Sequence, residues 1–151
     1  YYSVAAVPFA VLFFVCRGYF SGWPDPHVLA AFAASLVMAF LLGFFLEATL
    51  GLLGFWFLEI NSLLFVYMLL SFFFSGHMFP IDMLPGLGGA IVRHLPLQYL
   101  AYFPAAVFLG KATGSALLWG LAMQFGWVCF FVLASRLAFR WGTRHYGGYG
   151  G

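Results

Sequence analysis

The 151 residues are 65% hydrophobic and 23% aromatic, and only 7% carry a charge, against about 25% in an ordinary soluble domain. So few charges cannot clothe a water-soluble globule, and so much apolar surface excludes disorder. A net charge of +2 is too small to point to nucleic acid, which leaves an integral membrane protein.

The first apolar stretch, residues 1–20, crosses a hydrocarbon core of about 30 Å if Arg17 snorkels to the headgroups. Pro24 and Pro26 end it. The chain opens at Tyr1 without Met or a basic leader, so it reads as the C-terminal piece of a longer polypeptide. Residues 28–58 would reach about 46 Å as one helix. This second span is expected to kink or loosen near Gly51 and Gly54, with its last turns outside the bilayer. Residues 62–79 and 113–136 supply the third and fourth spans.

Between those last two spans the pattern changes. Four of the seven prolines, Pro80, Pro85, Pro96 and Pro104, fall there beside Gly86, Gly88 and Gly89. The stretch is too short for two spans and a turn, yet too apolar for an ordinary loop. Two half-helices, about 86–95 and 97–109, satisfy both limits by dipping into one leaflet and returning, their irregular backbone shielded by protein. Replacing Pro96 with Ala is expected to let the two join. The expected fold is therefore an all-α integral membrane protein. It has four transmembrane helices plus a proline-broken re-entrant hairpin over 82–110, in a single domain with a tail over 137–151.

Arg136, Arg140 and Arg144 follow the last span with no acid beside them. The positive-inside rule puts that end in the cytoplasm and the hairpin outside. Recurring every four residues, the three arginines share a helix face and are expected to anchor on anionic headgroups.

The remaining polar residues are few enough to weigh singly. An ionisable group within a span costs about 2.5–3.5 kcal/mol, which makes Glu47 a candidate for coupling or helix packing, or else an interfacial carboxylate. Glu59 is a second such candidate, and with Asn61 and Ser62 it reads as the cap of the next helix. Phe72, Phe73 and Phe74 form a candidate outer gate that closes by dewetting, or simply a lipid-facing surface. Ser75-Gly76-His77 raises an intramembrane hydrolase, which needs nucleophile and base on separate helices. The histidines share no metal-ligand spacing, and Cys16 and Cys129 sit in apolar runs, so neither metal nor disulfide is expected. Gly110-Lys111 precedes Ala112, where a phosphate loop needs Ser or Thr.

Several short motifs recur in order through the second half. Phe55-Trp56 with Glu59 closes one span, and Gly76, Pro80-Ile81-Asp82 and Leu84-Pro85 follow the next. Leu95-Pro96-Leu97-Gln98-Tyr99 and Tyr102-Phe103-Pro104 lie in the hairpin, followed by Leu109-Gly110-Lys111, then Gln124 and Trp127. In these the chain resembles the membrane subunits of ABC-type-2 exporters, the daunorubicin-resistance-like permeases. The resemblance implies six spans with an outer re-entrant hairpin between the fifth and sixth, so the four here would be the third to sixth. It implies a multi-pass permease of the cell inner (plasma) membrane, paired with a second permease as homodimer or heterodimer. A separate ABC ATPase subunit would hold ATP and Mg, and this chain would need no cofactor and do no covalent chemistry. Two readings from other classes stay beside it: an intramembrane enzyme using His77 or Glu47, and a channel or assembly subunit without ATP coupling.

Overall fold

The computed structural model describes residues 2–19, 24–57, 59–78, 81–83 and 86–145, and among these the regular structure is entirely helical. α1 (Tyr2–Cys16) runs into one tight turn at Arg17–Tyr19. α2 (Pro26–Leu52) opens on a proline, whose missing N–H would have had no helical partner there anyway. It then tightens into a 3-10 turn at Leu53–Phe55, the region where Gly51 and Gly54 weaken the helix. α3 (Asn61–Phe74) has 14 residues, about 21 Å. α4 (Gly86–Val92) and α5 (Tyr102–Phe108) are short and flank a 3-10 turn at Pro96–Tyr99. α6 (Gly114–His145) has 32 residues, about 48 Å.

Two of these helices are long and apolar enough to cross a membrane, over Pro26–Phe55 and Gly114–Arg144. They pack on each other, and α5 fills the angle between them and the turn before it. Leu42 of α2, Tyr99, Phe103 and Val107 of the hairpin, and Val128 of α6 form the core. Outside that core the helices face outward with large apolar side chains, Phe40 73% and Leu118 70% exposed. Such a surface needs an apolar solvent. The described side chains of α1 are likewise exposed, apart from half-buried Cys16.

Two contacts fix the direction of the long helices. Ser35 meets Gln124, and Phe55 meets Gly142. The order is the same along both helices, so α2 and α6 run parallel.

The hairpin differs in detail from the two half-helices expected over 86–95 and 97–109. Leu95 is extended, with ψ of 150°, as a residue before proline prefers. Pro96 then starts a 3-10 turn, and a second break falls at Ala101, with φ −137° and ψ −48°. Pro104 stands in the first turn of α5, where its missing N–H costs no helical bond. Pro80 and Pro85 lie outside the described residues. Residues 137–145, expected as a separate tail, continue α6 without interruption to His145.

Candidate functional site

The polar groups of this apolar chain converge where the hairpin meets the long helices. Ser35 and Gln124 are both fully buried. The Ser35 hydroxyl donates to Gln124 Oε1 at 2.9 Å, and Gln124 Nε2 donates to the Ser35 carbonyl at 2.9 Å. The same nitrogen donates to the Tyr99 carbonyl at 3.0 Å. Both amide hydrogens are thus used, which matters because an unpaired amide in an apolar surrounding costs several kcal/mol. One side chain of α6 ties α2 and the hairpin turn to itself.

A second row of bonds holds the segment just before that turn. α4 ends at Val92, so the carbonyls beyond it lack helical donors. Trp127 Nε1 donates to the His94 carbonyl at 3.1 Å, and Gln98 Nε2 donates to the Arg93 carbonyl. On the other side, the Tyr102 N–H donates to the Ser75 carbonyl at 2.8 Å, joining α3 to the hairpin. Gly76 makes that approach possible. Its φ is +90°, and a Cβ there would lie 2.7 Å from Tyr102 Cβ, so only glycine fits.

Glycine also receives an aromatic ring at two places on α6. A Cβ at Gly120 would sit 2.1 Å from the Phe103 ring, and one at Gly142 would sit 2.2 Å from the Phe55 ring. Phe103 in turn packs edge-on to Tyr99, centroids 5.4 Å apart.

The candidate coupling, gate and anchor residues lie around this cluster, not within it. Phe72 and Phe73 are exposed on α3 and Phe74 is half-buried; Phe72 stacks on His77, whose Nδ1 bonds the buried Ser75 hydroxyl. Glu47 is exposed on α2 and faces Tyr67 of α3 closely enough to interact with its phenol. Glu59 is exposed before α3, whose N-cap is Ile60 with no side-chain capping bond. The expected cap from Asn61 or Ser62 is therefore not made, because Asn61 is already the first helical residue. Arg136 and Arg140 border a cleft of about 400 Å³ between α2 and α6, and Arg144 is exposed two turns beyond Arg136. Among the described residues, no three His, Cys, Asp or Glu side chains gather as a metal site.

Sequence reasoning picked out Gln124 and Trp127 only as matching residues and passed over Ser35 and Gly120. The signal was present. Ser35 is the one side chain able to hydrogen-bond between Val28 and Leu46, and Gln124 is the one amide of α6. The cluster ties the hairpin to α2, α3 and α6 through hydrogen bonds.

A family model described as "ABC-2 family transporter protein" matches residues 6–150. No curated protein and no solved structure matches the chain.

Proposed function

Because the chain belongs to the ABC-2 family of transporter proteins, as a membrane component of an ATP-binding-cassette transporter, we propose that it is the permease of an exporter. It lines the translocation path together with a second permease copy. ATP and Mg bind to a separate ATPase subunit, and this chain does no covalent chemistry. α1, α2, α3 and α6 are its four spans in the inner (plasma) membrane, and the segment from α4 to α5 is a re-entrant hairpin on the outer side.

The observation that carries this reading is the hydrogen-bonded hairpin between two parallel helices. Tyr99 meets Gln124 about 15 Å along α6 from Gly114, half the depth of a hydrocarbon core of about 30 Å. α3, at about 21 Å, is too short to cross that core alone. It ends at Ser75 against the hairpin, which fills the remaining depth. At the other end, α6 is longer than the core by about a third of its length. Its surplus turns carry Arg136, Arg140 and Arg144 into the cytoplasmic headgroups, consistent with anionic lipid anchoring. ATP-driven movement of α6 at that end is transmitted along a rigid rod to the hairpin, which opens and closes the outer mouth. Glu47, facing α3, and Glu59 lie at the inner end where such movement starts, and Phe72, Phe73 and Phe74 border the outer end.

The test is reconstitution of the full permease with its ATPase in vesicles. ATP-dependent export is expected, and Gln124→Leu is expected to leave ATP hydrolysis while lowering export about tenfold, from the three hydrogen bonds it removes. Saturable ATP binding by the permease alone, or export indifferent to the ATPase, would contradict the proposal.

A further inference from the structure

A cleft of about 310 Å³ opens between the first turns of α6 and the hairpin segment around Arg93 to Phe103. Its floor is buried, formed by Gln98, Phe103 and Gly120, and its rim is exposed, carrying Arg93, His94 and Trp119. Floor and rim differ in chemistry. The floor is mostly one aromatic ring seated where Gly120 has no side chain, while the rim offers a cation and an indole.

Arg93 stands out among these. Its carbonyl is fixed by Gln98, and the next residue is fixed twice, through the His94 carbonyl to Trp127 and His94 Nδ1 to the Ala90 carbonyl. Among the described side chains, its guanidinium has no hydrogen-bond or ion-pair partner. A charge is therefore carried on a backbone held by hydrogen bonds, at the edge of an apolar bundle. Guanidinium offers two parallel donors that match a phosphate, and indole favours the same interfacial plane.

We infer that this cleft seats the headgroup of an anionic membrane phospholipid, with Arg93 paired to its phosphate and Trp119 along its glycerol. The volume suits a headgroup and not a whole lipid. The acyl chains continue over the exposed apolar face of α6, which Leu118 supplies beside the rim. A free phosphate would gain the same cation, but only a lipid also lays acyl chains on the exposed apolar face beside the cleft. The assignment rests on the proposed orientation, in which the first turns of α6, with Ala116 and Trp119 at the cleft, lie at the outer membrane interface. It gives the hairpin a lipid that binds it and α6 at once.

The test uses the full permease–ATPase complex in neutral detergent, offered mixed micelles of phosphatidylglycerol and phosphatidylcholine. Native mass spectrometry counts the lipids retained. Arg93→Gln is expected to lower phosphatidylglycerol retention about tenfold without changing phosphatidylcholine retention, and Arg93→Lys, which keeps the charge but not the paired donors, to restore only part of it. Ala116→Trp, which fills the cleft and leaves the cation, is expected to act like Arg93→Gln. Unchanged retention in Arg93→Gln, or an effect of Arg93→Gln without one of Ala116→Trp, would overturn the site. Displacement of the lipid by soluble glycerol phosphate at equal concentration would overturn the lipid assignment. Absence of ATP-driven export by the unsubstituted complex, with these retention changes intact, would count against the permease reading and leave the lipid site standing.

Discussion

At the scale of single residues, stability concentrates in groups that the surrounding apolar packing cannot replace. Gln124→Leu removes three hydrogen bonds and leaves the Tyr99 carbonyl without this donor among apolar atoms. Interhelical hydrogen bonds in membranes average about 0.6 kcal/mol and reach about 1.7, so a loss of about 1–3 kcal/mol is expected. Thermal unfolding of the complex in detergent measures it, and Gln124→Glu is expected to recover little because a carboxylate cannot donate to two carbonyls. Gly120→Ala acts by the opposite route. Its methyl group would enter the Phe103 ring, a small-to-large insertion that costs about 1–3 kcal/mol. Adding Phe103→Leu should recover part of that loss, and a double-mutant cycle that found the two changes additive would mean the ring has room to step aside. Neither residue announces its role in the sequence. A serine in an apolar helix, or a glycine among membrane residues, shows its purpose only when the partner is in view.

At the scale of elements, the sequence was most legible where the backbone itself is restricted. The Leu95-Pro96 break follows from proline sterics and needs no tertiary partner. The break at Ala101 was not legible, since alanine has no preference for that conformation; it adjoins the tertiary bond from the Tyr102 N–H to the Ser75 carbonyl. The cap of α3 was misplaced because Asn61 and Ser62 favour caps by type, whereas Ile60 occupies that position and buries part of its side chain against Gly54. These findings alter what Pro96→Ala should do. With Ala101 broken and the Tyr99 carbonyl held by Gln124, the single change is expected to leave the hairpin bent. Only Pro96→Ala together with Gln124→Leu should let residues 93–109 straighten into one rod. A cysteine-accessibility scan over those residues distinguishes the cases: a helical period of protection in the single variant would mean that proline alone keeps the bend.

At the scale of the whole molecule, the parallel course of α2 and α6 makes a strong statement about sidedness. Pro26 and Gly114 lie at one end, and Phe55 and Gly142 at the other. Cysteines placed at His27 and Thr113 should therefore react alike with a membrane-impermeant reagent in intact cells, while one at Thr143 should react only after the membrane is opened. Labelling of Thr143→Cys in intact cells would invert the orientation, and unequal labelling of the first two sites would break the parallel pairing itself. Hydropathy and arginine placement gave the number of apolar stretches and a preferred side. They held nothing about which helix lies beside which, because that information resides in side chains 89 positions apart.

That separation has a consequence for how the protein is made. When α2 emerges from the ribosome, its partner on α6 has not been synthesised. A serine can wait in lipid, since its hydroxyl can bond a carbonyl of its own preceding turn. A glutamine cannot be satisfied so easily alone, and in this chain the glutamine is on the helix that arrives later. By then Ser35 and the Tyr99 carbonyl are both in place to receive it. The order of translation thus puts the tolerant partner first and the demanding one last, and reversing the pair, with Gln at 35 and Ser at 124, would expose an unpaired amide throughout the interval between them.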